Sequence, residues 1–158
     1  MCIAFTSKKI IIWNVFQISY WLVYKNHLEN SISAGCDFMS RILIVDDAAF
    51  MRTTIKMALE KAGHVIVGEA ENGMEGLSQY IKLKPDLVTL DITMPVMNGI
   101  DALKAIRKYD NNAKVLMVSA MGQEGIVREA VLSGAKTFIV KPFSSEKLIQ
   151  TVEKILSA

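Results

Sequence analysis

Short apolar runs rich in β-branched residues alternate along this chain with longer segments whose apolar positions recur every three or four residues. The runs are Ile42–Val45, Val65–Ala70, Leu87–Leu90, Val115–Val118 and Phe138–Val140. Their length and composition predict strands, and near-continuous apolar character suits a parallel sheet covered on both faces. Between them, 48–62 places Met51, Ile55, Ala58, Leu59 and Ala62 on one helical face and stops at Gly63. Asn72 with Glu75, and Asn98 with Asp101, are capping pairs that open two more helices, the first ending before Pro85 and the second running through Ile100 to Tyr109. A fourth helix over about 123–133 stops at Gly134, and a fifth begins near Ser144 and presents Leu148, Val152, Ile155 and Leu156. Strict alternation of five strands and five helices predicts an α/β fold over 39–158, a (βα)5 doubly wound parallel five-stranded sheet.

In such a sheet all strands point one way, and ligands bind beyond their carboxyl ends. Four of the five runs end in reactive polar residues: Asp46-Asp47, Asp91, Ser119 and Lys141. Alone, each has an ordinary explanation. An acidic pair ahead of a helix usually caps it, an aspartate or serine after a strand usually serves a turn, and a lysine is usually solvated. Together they place three carboxylates, a hydroxyl and an ammonium on one edge. Clustered carboxylates repel one another unless a cation compensates, and a hard-oxygen set suits magnesium. One Mg2+ and the Lys141 ammonium would offset the three negative charges. One carboxylate can then act as nucleophile toward a phosphoryl group while metal and lysine neutralise the transferring oxygens.

Composition narrows the class. The 158 residues are 51% hydrophobic, enough for one real core, and the net charge of +2 comes with no basic stripe that would mark a nucleic-acid surface. Cys2 and Cys36 both precede residue 39, no C-x-x-C pair occurs, and His27 and His64 are isolated, so a structural zinc site is not expected and a reducing, cytoplasmic setting fits. Eight of the nine methionines lie from Met39 onward and read as flexible core fillers. His64, following Gly63, is expected to cap a helix end or face solvent.

Residues 1–38 differ in character. Ile10 to Tyr24 is an apolar stretch of 15 residues interrupted by Asn14, Gln17 and Ser19, short of the ~20 that span a bilayer. Lys25, His27 and Glu29 separate it from the cleavage-like Ser33-Ala34-Gly35-Cys36, which argues against a signal peptide. This leader reads as disordered, as a membrane-surface helix, or as upstream sequence before an initiator at Met39. An intact mass beginning at Met39 is the observation the last reading expects.

Ile44-Val45-Asp46-Asp47, Asp91-Ile92-Thr93-Met94-Pro95 with Asn98-Gly99, Ser119-Ala120 and Lys141-Pro142-Phe143 closely resemble the motifs of the response-regulator receiver domain, across 39–158. Within that family, Asp47-Ala48-Ala49-Phe50-Met51-Arg52, Ser119–Gln123 and Phe138–Phe143 are most similar to chemotaxis members. The resemblance implies the flavodoxin-like strand order 2-1-3-4-5. It implies that Asp91 accepts a phosphoryl group from a sensor histidine kinase. It implies that Asp47, Asp91 and the backbone carbonyl of Thr93 hold Mg2+, with Asp46 assisting. Lys141 would pair with the phosphoryl oxygens, and the Lys141–Pro142 peptide would be cis. On phosphorylation Ser119 would move inward and Phe138 would rotate into the space it leaves.

Phe138 stands where many chemotaxis members carry tyrosine. The resemblance implies that Thr93 and Met121 occupy positions that in this family tune dephosphorylation, and neither side chain can orient water as a carboxylate or amide would, so comparatively slow self-hydrolysis is expected. Because the chain stops at Ala158 directly after the fifth helix, output is expected through binding, and the resemblance implies a face of the fourth helix, fifth strand and fifth helix whose matching positions here are Gly122, Val127, Phe138 and Val140. The leading expectation is a phosphoacceptor signalling protein, not an enzyme, that docks on a flagellar motor switch protein, with a phosphatase as a possible further partner. The alternatives are a phosphorelay intermediate of the sporulation type and a magnesium-dependent phosphatase of the haloacid-dehalogenase type. The last usually carries D-x-D on its first strand, whereas the aspartates here are adjacent.

Overall fold

The computed structural model describes residues 39–120 and 124–158, so the expectations for 1–38, for Met121 and for Gly122 lie outside the described residues. Its elements alternate as the apolar pattern requires: β1 Arg41–Val45, α1 Ala49–Lys61, β2 Val65–Ala70, α2 Gly73–Leu83, β3 Leu87–Asp91, α3 Gly99–Tyr109, β4 Val115–Ala120, α4 Glu124–Leu132, β5 Thr137–Lys141 and α5 Ser145–Leu156. All pairings are parallel, in the order β2-β1-β3-β4-β5. The register puts Val45, Leu90, Met117 and Phe138 in one rank across four strands. Strand ends that are remote in sequence therefore reach the same edge.

Period-2 alternation splits the apolar residues between two cores. Leu43, Val45, Val88, Leu90, Val115 and Met117 pack with Ile100, Leu103 and Ile106 on the face covered by α2, α3 and α4. Ile42, Ile44, Leu116, Val118 and Ile139 pack with Ile55, Leu59, Leu148, Val152 and Ile155 of α1 and α5 on the other. Burying this much aliphatic surface is the main stabilising force, at roughly 1.5–3 kcal/mol for each fully buried large side chain. Among the described residues no helix is long and apolar enough to cross a membrane.

The helix ends follow the expected chemistry. Asn72 accepts from the backbone N–H of Glu75, and Asn98 from that of Asp101. Gly63 takes φ of +89°, so its N–H reaches the carbonyl of Glu60 while the N–H of His64 reaches that of Leu59. This pair of bonds turns the residue after the glycine back over the helix end, where it packs instead of facing water. His64 accordingly has both ring nitrogens buried without a protein hydrogen-bond partner, contrary to the capping or solvent role expected for it. The Asp46-Asp47 pair does not cap α1 either. Ala48 is the N-cap and makes no side-chain bond, while Asp46 Oδ1 accepts from the Ala48 N–H at 2.9 Å.

A polar tie pins α2 to the end of α3. The buried Tyr80 hydroxyl donates to Asp110 Oδ2 at 2.6 Å, and its ring meets Tyr109 edge-on at 6.4 Å. The hydrogen bond from Tyr80 is the largest influence holding the Asp110 carboxyl below its ordinary value. A lowered carboxylate contributes stability above its unfolded pKa and loses it as pH falls through the folded one. Tyr80→Phe is therefore expected to cost about 1–2 kcal/mol in urea unfolding at pH 7. The difference from wild type should shrink toward pH 3; a difference independent of pH would contradict the tie.

Candidate functional site

Strand order reverses between β1 and β3, and the residues ending those strands flank the crevice this opens at the carboxyl edge of the sheet. Asp46 follows β1 and is 1% exposed; Asp91 ends β3 and is 6% exposed. Both are fixed in the same way. Asp46 Oδ1 accepts from the backbone N–H two residues on, at Ala48, and Asp91 Oδ2 accepts from that of Thr93 at 2.9 Å. Each turns its second oxygen to one ammonium. Lys141 Nζ lies 2.8 Å from Asp46 Oδ2 and 2.6 Å from Asp91 Oδ1.

Magnitudes show why one lysine can hold this pair without neutralising it. At an effective dielectric of 20, each contact is worth roughly 6 kcal/mol, and the two carboxylates, kept apart by the ammonium between them, repel one another less strongly than that. Desolvation of several kcal/mol per ion opposes both attractions. Burial accordingly raises the Asp91 carboxyl above its ordinary value, against the lowering effect of the Lys141 hydrogen bond. For Lys141, burial lowers the ammonium, but the hydrogen bonds to Asp46 and Asp91 outweigh it and the net shift is upward.

The remaining expected residues take distinct places. Asp47, the next residue after Asp46, is exposed. Thr93 is exposed as well, and its backbone N–H is the donor to Asp91. Ser119 is buried near the end of β4 and its hydroxyl donates to the Ala120 carbonyl at 3.0 Å. Phe138, 42% exposed, and Val140 lie on β5 with their side chains half open to solvent. Lys141–Pro142 is cis. Gly122 and the side chain of Val127 lie outside the described residues.

Among the described residues no three potential ligands are gathered closely enough to hold an ion; the Lys141 ammonium sits between Asp46 and Asp91 instead. The donor set nevertheless fits magnesium. Two buried carboxylates share a single cation, and the exposed Asp47 carboxylate brings the local balance further negative.

Two contributors carried no assigned role in the sequence reading. Gly99 opens α3 directly against the end of β3. Its N–H donates to the Ile92 carbonyl at 2.9 Å, and any Cβ there would run into the carbonyl oxygen of Asp91. The Asn98-Gly99 motif was the available signal, though its meaning is a close backbone approach that spacing alone does not disclose. Arg52 is the second. Its guanidinium reaches the backbone carbonyls of both Asp46 and Asp47.

This constellation on this topology defines a phosphoacceptor signalling protein. The family model of the response regulator receiver domain matches residues 42–153. Chemotaxis protein CheY of Thermotoga maritima is 56% identical over 115 residues, covering 73% of this chain and 96% of the relative. Chemotaxis protein CheY of Bacillus subtilis is 53% identical over 117 residues, covering 74% and 98%. In the solved CheX–CheY–BeF3–Mg complex from Borrelia burgdorferi, the matching chain superposes with a TM-score of 0.71 at 41% identity, covering 73% of this chain and 88% of that one. The chain belongs to the response-regulator receiver family. It is a CheY-type regulator of chemotaxis signalling, a phosphoacceptor and not an enzyme in the ordinary sense.

Removing the shared ammonium isolates two buried carboxylates. Lys141→Met is expected to destabilise the domain by about 3 kcal/mol at pH 7 in denaturant titrations. Acidification should restore part of the loss as the Asp91 carboxyl, raised by burial, protonates. In the wild type the raised lysine keeps its contribution through neutral pH and loses it only above the ordinary lysine range. A variant as stable as wild type at pH 7 would contradict this picture.

Proposed function

We propose that Asp91 is the phosphoacceptor of a two-component pathway, loaded by a sensor histidine kinase and read through protein binding. The observation that carries the reading is the Lys141 ammonium shared by two buried carboxylates at the switch point of the sheet. In the transfer step an Asp91 carboxylate oxygen attacks phosphorus in the donor's phosphohistidine. The P–N bond breaks as the O–P bond forms, and the imidazole nitrogen leaves with the electron pair and takes up a proton. Asp47, Asp91 and the Thr93 carbonyl would hold Mg2+, with Asp46 assisting through water. When bound, the ion supplies positive charge against the transferring oxygens.

The chain's own residues do the rest. Lys141, freed from Asp91 by the new phosphoryl group, pairs with its oxygens. The Ser119 hydroxyl turns from the Ala120 carbonyl to donate to the same group. Phe138 then swings inward, which changes the surface that Phe138 and Val140 present. The expected partners are the kinase, a flagellar motor switch protein and a separate phosphatase, in a cytoplasmic setting. The Borrelia relative was crystallised with BeF3, Mg2+ and CheX, which supports a cation at this edge and a protein partner for the loaded state.

Labelling from a radiolabelled acyl phosphate tests the chemistry. Wild type with magnesium should take up label; chelation of the metal or Asp91→Asn should cut uptake by about two orders of magnitude. Equal labelling of the variant would overturn the assignment. Pull-down with and without a beryllofluoride phosphoryl mimic tests the output. Capture of a motor switch protein only with the mimic supports motor control; capture of a histidine phosphotransfer protein instead would favour the relay reading.

A further inference from the structure

We propose that Arg52 is a positioning residue for the cation site, bracing the backbone of the Asp46–Asp47 corner so that both carboxylates are presented to a divalent ion. The inference rests on the cation reading above and adds to it a residue that touches neither metal nor phosphoryl group.

The corner needs a brace. Only Asp46, Asp47 and Ala48 separate β1 from α1, and the N-cap Ala48 supplies no side-chain bond to secure the turn. Asp46 is anchored through Lys141 and its own backbone turn. The carboxylate of Asp47 is exposed, so its aim depends on how its backbone is held. Arg52 provides that hold from one turn into α1. Its side chain is 11% exposed. Nη1 donates to the carbonyl of Asp46 at 2.9 Å and to that of Asp47 at 3.3 Å. Nη2 donates to Glu71 Oε1 at 2.8 Å, and Nε lies 3.5 Å from Glu69 Oε2. The rigid fork of a guanidinium suits this, because it can bond several acceptors at once with little loss of freedom. The brace is thus anchored on α1, on β2 through Glu69, and on the β2–α2 connection through Glu71.

Charge raises an objection that the structure answers. A bare guanidinium beside a divalent-ion site would repel the ion. Glu71 and Glu69 offset that charge, and Lys56, 3.0 Å from Glu69, brings the four-group network to neutrality. The network can therefore hold carbonyls in place without opposing the ion. Magnesium tolerates little departure from octahedral geometry, so a shift in the corner should appear directly in its affinity.

Position and charge predict opposite signs, which makes the test decisive. Mg2+ binding is measured by titration calorimetry on wild type, Arg52→Gln, Arg52→Lys and Glu71→Gln, with a thermal melt of each in the absence of the ion. If Arg52 braces the corner, Arg52→Gln weakens Mg2+ binding about tenfold, the scale of outer-shell effects on metal sites. Arg52→Lys, with one compact donor group in place of the fork, weakens it at least twofold. Glu71→Gln, which leaves the network with one positive charge in excess, weakens it by an amount that added salt reduces. Binding by Arg52→Gln that equals or exceeds wild type overturns the brace; should that variant fail to fold, unchanged binding by Arg52→Lys does the same. Wild type that binds no Mg2+ overturns the cation site itself, and the brace with it.

Discussion

One ammonium group lies within hydrogen-bond distance of two carboxylates that have almost no access to water. Everything else at the carboxyl edge is arranged around the sharing of Lys141 between Asp46 and Asp91. The arrangement is possible because a parallel sheet brings the ends of β1, β3 and β5 to one side, although the residues lie up to 95 positions apart. It is only partly favourable. The lysine attracts each carboxylate more strongly than they repel one another, but burial taxes all three groups, and the Asp91 carboxyl is left raised. A site in this condition is stable enough to fold and still short of positive charge. That combination suits the proposed role of Asp91, to meet a divalent ion and then a phosphoryl group. A fully neutralised cluster would have nothing to gain from either.

How much of this the residues disclosed in advance follows from the range of the physics involved. The strands were legible because β-branched apolar runs such as Ile42–Val45 and Val115–Val118 must be buried on both faces. The helix starts at Asn72 and Asn98 were legible because capping is a contact across three residues. The strand order was not, since strict alternation is compatible with several windings; it came from resemblance. Also hidden were contacts between parts of the backbone distant in sequence. Nothing in the pattern says that a Cβ at Gly99 would strike the carbonyl of Asp91, or that Tyr80 finds Asp110. His64 was misjudged for a related reason. A glycine-terminated helix turns the next residue inward, so the residue type suggested solvent while the turn left its ring nitrogens buried.

The acidic pair shows how a local rule can give way to a tertiary one. Two aspartates ahead of a helix would ordinarily be spent on its free N–H groups, worth about 1 kcal/mol. Here Asp46 is drawn instead into the crevice by Lys141, and α1 begins at an alanine cap. The first turn of that helix thus forgoes a side-chain cap, and Arg52 secures the corner from within the helix through the carbonyls. Sequence reasoning that stops at the cap sees a helix start. The packed structure shows Asp46 turned toward Lys141 instead.

The proposed coupling between Asp91 and the partner face requires only modest energies. Phe138 is 42% exposed, so moving its ring inward would bury roughly 80 Å² more apolar surface, worth about 2 kcal/mol. Reversing a tenfold bias between two conformations takes about 2.7 kcal/mol, so the ring's own burial supplies most of what a switch needs. What holds the ring out must be of similar size, and Ser119 is well placed to supply it. Ser119 pairs with Val140 on the neighbouring strand, two residues from Phe138, and its buried hydroxyl donates to the Ala120 carbonyl. A phosphoryl group on Asp91 would offer that hydroxyl a charged acceptor, and charge-assisted hydrogen bonds are roughly twice as strong as neutral ones. The difference, on the order of 1–2 kcal/mol, is enough to tip an element already near balance.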